Sequence, residues 1–235
     1  GLEYADAVRF NGQNQVFNDG HTAGDWKIIY YTNPAGASVS AYGAYLNGTS
    51  LTGSSASVFV PSLVSNFALV GATQMNGTYN PAGYFNGDMT ELVVFSGQLN
   101  DAERVVLQNN LGAKYQLPIA DDHYAWETTH SHDVSGIAAF NGTTFTNPWS
   151  TGMLSVSSPT DLSEGEYLFF GHDKASAKSW TTTEVPASGT YRLPREWRFD
   201  ETSDVGTVTI TIPAASLPAL PSGYPLVGIL LDDDG

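Results

Sequence analysis

Three short runs hold the residues best suited to chemistry. In His130-Ser131-His132-Asp133 two imidazoles stand two positions apart, on one face of an extended chain, with a carboxylate beside them. That is part of a zinc ligand set. No third ligand follows at suitable spacing, so a structural role is the simpler expectation. Gly171-His172-Asp173, taken with Asp200 and Glu201, suggests an acid/base pair. Glycosidase carboxylates must face each other across a cleft, which spacing in the chain does not settle. With no nucleophile elbow, phosphate loop or HExxH motif, no residue is assigned a catalytic role.

The third run, Leu231-Asp232-Asp233-Asp234-Gly235, offers hard oxygen ligands and a turn-making glycine, a set that suits calcium better than a softer metal. It lacks the distant glutamate of an EF-hand loop. An acidic turn and a partial calcium loop both fit, and Asp232 and Asp234 are the candidate ligands. Among the clustered aromatics Trp26, Tyr30, Tyr31, Tyr42 and Tyr45, a surface ring could stack on a sugar. Tyr42 and Tyr45 have opposite parity, so at most one faces inward along a regular strand. They are the candidate glycan contacts. Asn-Gly-Thr at 47, 76 and 141 is formally a glycosylation acceptor, but each triplet is equally a hairpin turn followed by a strand-favouring threonine, and the turn reading is preferred.

The elements that must position these residues are mostly strands. Hydrophobic residues make up 41% of the 235 residues and charged ones 14%, so the surface draws its polarity from Ser, Thr, Asn and Gln. That balance suits exposed sheet better than helix built on Glu and Lys. The 24 glycines and 12 prolines fall between short apolar runs without a fixed period, as turns do. Twenty-four acidic residues against 9 basic ones leave a net charge of −15, which repels a phosphate backbone and makes nucleic acid or an anionic membrane a poor partner. No membrane-spanning run is present. With no cysteine there is neither a disulfide framework nor a thiolate metal site. Cysteine-free, acidic, Thr- and Gly-rich β sequence points to an extracellular setting. The start at Gly1 suggests a segment of a longer chain.

Up to Gly97 short strands alternate with turns: "AVRFNG", "DWKIIYYT", two strands around Asn47-Gly48, "SVFVPS", "FALVGA" and "GDMTELVVFSG", the last apolar enough to be buried on both faces. A helix follows. Asn100 is its N-cap and Glu103 completes a capping box. Leu107, Leu111 and Tyr115 form one apolar stripe with Val105 nearly opposite, and Pro118 forbids continuation. Beyond a polar passage at "IADDHYAWETTHSHD", strands resume, among them "GEYLFFGHD", "YPLVGILLDDDG" and "GTVTITI". In the last, Val208, Ile210 and Ile212 should face in and Thr207, Thr209 and Thr211 out.

Two stretches carry a family likeness. "YLNGTSL", "FALVGA" and "YFNGDMTELVVFSGQLNDAERVVLQNNLGAKYQL" resemble the closing half of the concanavalin A-like, laminin-G-type jelly rolls of bacterial surface proteins. The matching positions are Gly87, Asp88, Glu91, Leu92, Leu99, Asn100, Asp101, Ala102, Glu103, Arg104, Leu111, Lys114 and Tyr115. "HDVSGIAAF", "EYLFFGHDKA" and "LPREWRFDETSDVGTVTITI" resemble an uncharacterised β domain that follows such jelly rolls in adhesin-like proteins.

The expected class is therefore all-β, as two β-sandwich domains. Residues 1–118 would form a jelly roll, short for its type, with one packed helix near residues 100–115. Residues 119–235 would form a second sandwich whose last strand lies at the C-terminus. The resemblance implies a non-enzymatic module of a secreted or cell-surface bacterial protein, part of a larger multidomain chain, serving adhesion or structural display. Calcium-supported binding of glycans, or contact with other surface proteins, would be its activity. A pure spacer or filament subunit and a glycan-processing enzyme are the alternatives.

Overall fold

The computed structural model describes residues 2–4, 7–10, 15–18, 24–32, 34, 41–53, 72–75, 78–84 and 87–232. The expected strands "SVFVPS" and "FALVG", the turns Asn11-Gly12 and Asn76-Gly77, and Asp234 lie outside them. The described chain is mostly β with one α-helix, arranged in antiparallel sheets of two to four strands. In the first half, β1 (Leu2–Tyr4), β2 (Ala7–Phe10) and β3 (Gln15–Asn18) form one sheet. A second holds β4 (Ile29–Thr32), β5 (Gly43–Leu46) and β6 (Thr49–Ser50), and β7 (Ala72–Met75) pairs with β8 (Thr78–Tyr84). Asn47 and Gly48 both take positive φ, 46° and 87°, as a two-residue type I′ hairpin requires.

Helix α1 (Asp101–Tyr115) starts where its cap predicts. The Asn100 side chain accepts the Glu103 N–H at 2.8 Å, and the Glu103 carboxylate accepts the Asn100 N–H at 2.8 Å. It ends at Gln116, which turns left-handed at φ 54°. The buried face differs from the expected one. Ala102, Val105, Val106, Gln108, Asn109, Gly112 and Ala113 are buried, while Leu107, Leu111 and Tyr115 are half-exposed. The small residues explain the reversal, because they let the helix lie close against its neighbours; a Cβ on Gly112 would already meet the Ile119 side chain at 3.1 Å.

The helix packs on strands of the second half. There β9 (His132–Phe140), β10 (Thr143–Phe145), β12 (Tyr167–His172) and β13 (Trp197–Thr202) make a four-stranded sheet in the order β10-β9-β12-β13, and β11 (Ser155–Ser157) pairs with β14 (Thr209–Thr211). Strand alternation sends Tyr167 and Phe169 to one face, with Ala102, Val105, Val106 and Ala113 of α1, Tyr124, Val134 and Ala138. Leu168 and Phe170 go to the other face, with Ile137, Val156 and Val205. Val208, Ile210 and Ile212 pack against this second core and Thr207, Thr209 and Thr211 are exposed, as the alternation predicts. Polar ties lock the helix in place. Asn109, fully buried, donates to Asp121 O at 2.9 Å and Val105 O at 3.0 Å and accepts the His123 N–H at 2.8 Å. Asn110 donates to Val134 O and Asn100 to Thr144 O. On its far side Arg104 lies over the Tyr45 ring, 4.2 Å from its centre.

Two stretches expected as core strands are exposed. Residues 88–95 run without a paired strand among the described residues, with Val94 82% exposed, and residues 226–231 likewise, with Leu226 84% exposed. Apolar composition makes a segment competent for a sheet interior, but only neighbouring edges put it there.

Candidate functional site

His172 and Asp133 form the densest constellation of chemically capable groups. The register of β12 against β9 shifts between Phe170 and His172: Phe170 faces Ser135, yet His172 faces His132. One extra residue on β9 makes a bulge, and Asp133 sits in it at φ 51°, a left-handed conformation that aspartate tolerates better than most residues. The bulge aims Asp133 at His172, whose Nε2 lies 2.8 Å from Asp133 Oδ2. Thr151 donates its hydroxyl to Asp133 Oδ1, and Ser150 Oγ donates to the Asp133 carbonyl at 2.8 Å. Ser150 Oγ in turn accepts the Gly152 N–H at 3.0 Å.

These are the residue types of a hydrolase triad, but their bonds do not make one. The Lys174 backbone N–H donates to His172 Nδ1 at 2.9 Å, which leaves the ring proton on Nε2, where it is donated to Asp133. Both nitrogens are occupied, and His172 is 3% exposed. It has no free lone pair with which to take a proton from Ser150, whose hydroxyl points to a carbonyl instead. Burial pushes the His172 pKa down despite Asp133, which favours the neutral ring. Burial alone would raise the Asp133 carboxyl, but the bonds from Thr151 and His172 outweigh it and hold it below the usual range.

The other candidates are placed apart. His130 is buried with Nδ1 2.9 Å from Thr129 Oγ1, and the His132 ring stacks on that of His172 with centres 5.7 Å apart. Among the described residues no group of three His, Asp or Glu side chains could hold a metal ion. Asp173 accepts the Ala175 and Glu196 N–H groups, Asp200 that of Ala125 and Glu201 that of Val205. In the β12–β13 register Phe169 faces Asp200 and His172 faces Trp197, so Asp173 and Asp200 stand four positions apart, about 13 Å at strand rise.

Tyr42 is buried at 7% exposure, and the half-buried Tyr45 has Arg104 over its ring and Tyr30 tilted beside it at 5.7 Å. Asp232 is exposed at the last described position. Asn47 and Asn141 serve turns: Asn47 Oδ1 accepts the Ile28 N–H at 2.8 Å, and Glu164 grips the Asn141-Gly142 turn through both backbone N–H groups. Sequence reasoning missed the Asp133–His172 pair, because the two lie 39 residues apart and meet only through a bulge. Arg195 and Arg198, prominent in the "REWR" run, hold loops: Arg195 donates to the Ala175 and Gly152 carbonyls, and Arg198 stacks on Trp126.

No helix among the described residues is long and apolar enough to cross a membrane. No curated protein and no solved structure matches the chain. Residues 120–233 are similar to a domain of unknown function (DUF8202), a span that begins just after the helix packed against it.

Proposed function

We propose that the chain is a non-enzymatic module of a secreted or cell-surface bacterial protein, working in adhesion or structural display. In this reading the first half is a laminin-G-type jelly roll and the second a β sandwich. One observation carries it: the histidine best placed to act as a base has both ring nitrogens bound within the protein. The residues of the jelly-roll motif are likewise spent on structure. Glu91 accepts hydrogen bonds from Lys114 at 2.9 Å and Tyr115 at 2.8 Å, and Asn100 and Glu103 cap the helix. Calcium, bound through loops such as that at Asp232, would stiffen the module. A glycan array with and without calcium, followed by chromatography of the bound sugars, tests the reading. Intact sugars and no turnover are expected; cleavage products would refute it.

A second reading, a subunit of a filament or surface layer, is favoured by the exposed apolar residues at 226–231. Sedimentation at increasing protein concentration tests it: self-association that Leu226→Ser abolishes is the expected result.

A further inference from the structure

A hollow of about 360 Å³ lies where β10 ends, facing the loop after β11, and is lined by Thr144, Thr146, Asn147, Ser158, Pro159 and Leu162. None of these side chains is ionisable. The three hydroxyls and the Asn147 amide form no hydrogen bond with any described residue, so four groups that can both donate and accept stand uncommitted around one concavity. Two residues along the chain from Asn147 of the lining, Trp149 is 65% exposed. Trp149 bridges Ser155 in antiparallel fashion, which ties the segment after β10 to the start of β11, and Thr146 and Ser158 line the same hollow. Pro148, fully buried, anchors the segment and so fixes where the indole is presented.

We propose that this hollow is a subsite for a neutral carbohydrate, with Trp149 as its stacking platform; the proposal rests on the contact-module reading above. A sugar ring has hydroxyls around its rim and C–H faces above and below. The uncommitted hydroxyls and amide answer the rim, and the indole with Pro159 and Leu162 answers the faces. An anionic ligand is disfavoured, because no cation lines the hollow and the chain carries a net charge of −15. So open a site binds weakly, with a dissociation constant on the order of 1 mM.

The test titrates the whole chain with the tetrasaccharides of β-1,4- and of α-1,4-linked glucose, with tetragalacturonate as the anionic comparator, read by amide and indole NMR shifts. Saturable shifts are expected for Trp149, Thr144, Thr146 and Ser158 with a neutral sugar. Trp149→Ala and Asn147→Ala, both at exposed positions, should each weaken binding about tenfold. Trp26→Ala, which removes another exposed indole, should change nothing. No saturable shift with either neutral sugar, undiminished binding in both hollow variants, or tighter binding of the uronate would overturn the proposal. Chromatography of the same samples keeps the two readings apart. Intact sugar with no binding sinks the subsite and leaves the module reading standing; cleaved sugar sinks the module reading, while the Trp149→Ala comparison still judges the hollow.

Discussion

Residues 89–95 (MTELVVF) and 167–172 (YLFFGH) are two apolar runs of similar length that end in opposite environments. All six residues of 167–172 are buried, because β12 has β9 and β13 on its edges, α1 over one face and the β11–β14 pair over the other. Residues 89–95 have neither edge nor cover among the described residues and are exposed throughout. The difference teaches that apolar content confers the capacity for burial, while hydrogen-bonded edges decide where that capacity is used. It also separates two kinds of role: 167–172 is the spine of the layered half, and 89–95 is held, among the described residues, through Glu91, which accepts from Lys114 and Tyr115.

The comparison breaks most sharply on substitution. Phe169→Ala should destabilise the chain by about 3–5 kcal/mol in urea denaturation, because it empties the core beneath the helix. Val94→Ser should stay within about 0.5 kcal/mol of the parent; a comparable loss at both sites would mean that 89–95 is buried in solution. Next in size, Asn109→Ala strips the two hydrogen bonds that cross the seam between α1 and residues 121–123, and one within the helix, and should cost about 1–3 kcal/mol. Hydrogen exchange should then rise in β9 beneath the helix and not in 88–95.

Acid sharpens the contrast further. Burial lowers the pKa of His123, His130 and His172 from 6.5, so below that pH the unfolded chain binds more protons than the folded one and stability falls. Asp133, held below 3.8, adds a loss of the same sign at lower pH. Glu127, raised from 4.5 by burial, works the other way: its contribution is present below 4.5 and is lost as pH rises through its folded value. The melting temperature should therefore drop between about pH 7.5 and pH 5, and a rise would refute the burial of these rings. The smallest effect belongs to Glu91→Gln, a surface pair worth less than about 1 kcal/mol and weaker still in high salt.

What could be read ahead of the coordinates was local. The capping box spans three residues, and the type I′ turns at Asn47-Gly48 and Asn141-Gly142 need only two consecutive positive φ angles. The alternation in 207–212 held because one face meets a core and the other meets water. The helix's buried face was not legible, because its largest apolar residues, Leu107 and Leu111, lie off the contact, while Ala102, Asn109, Gly112 and Ala113 make it. Periodicity weighs hydrophobicity, and here closeness of approach decided. The candidate site was half legible: His172 and Asp133 were each singled out, but in separate motifs, since pairing across a bulge leaves no mark on spacing.

By itself, the order of residues determined that this chain is strand-rich, acidic, free of thiol chemistry and broken once by a well-capped helix, since these follow from composition and from contacts within a turn or two. Only the tertiary structure decided that the helix lies on the second half's sheet, that the histidine has no nitrogen to spare, and that two apolar runs face outward. Those outcomes depend on which distant edges and side chains meet, and no single segment carries that information.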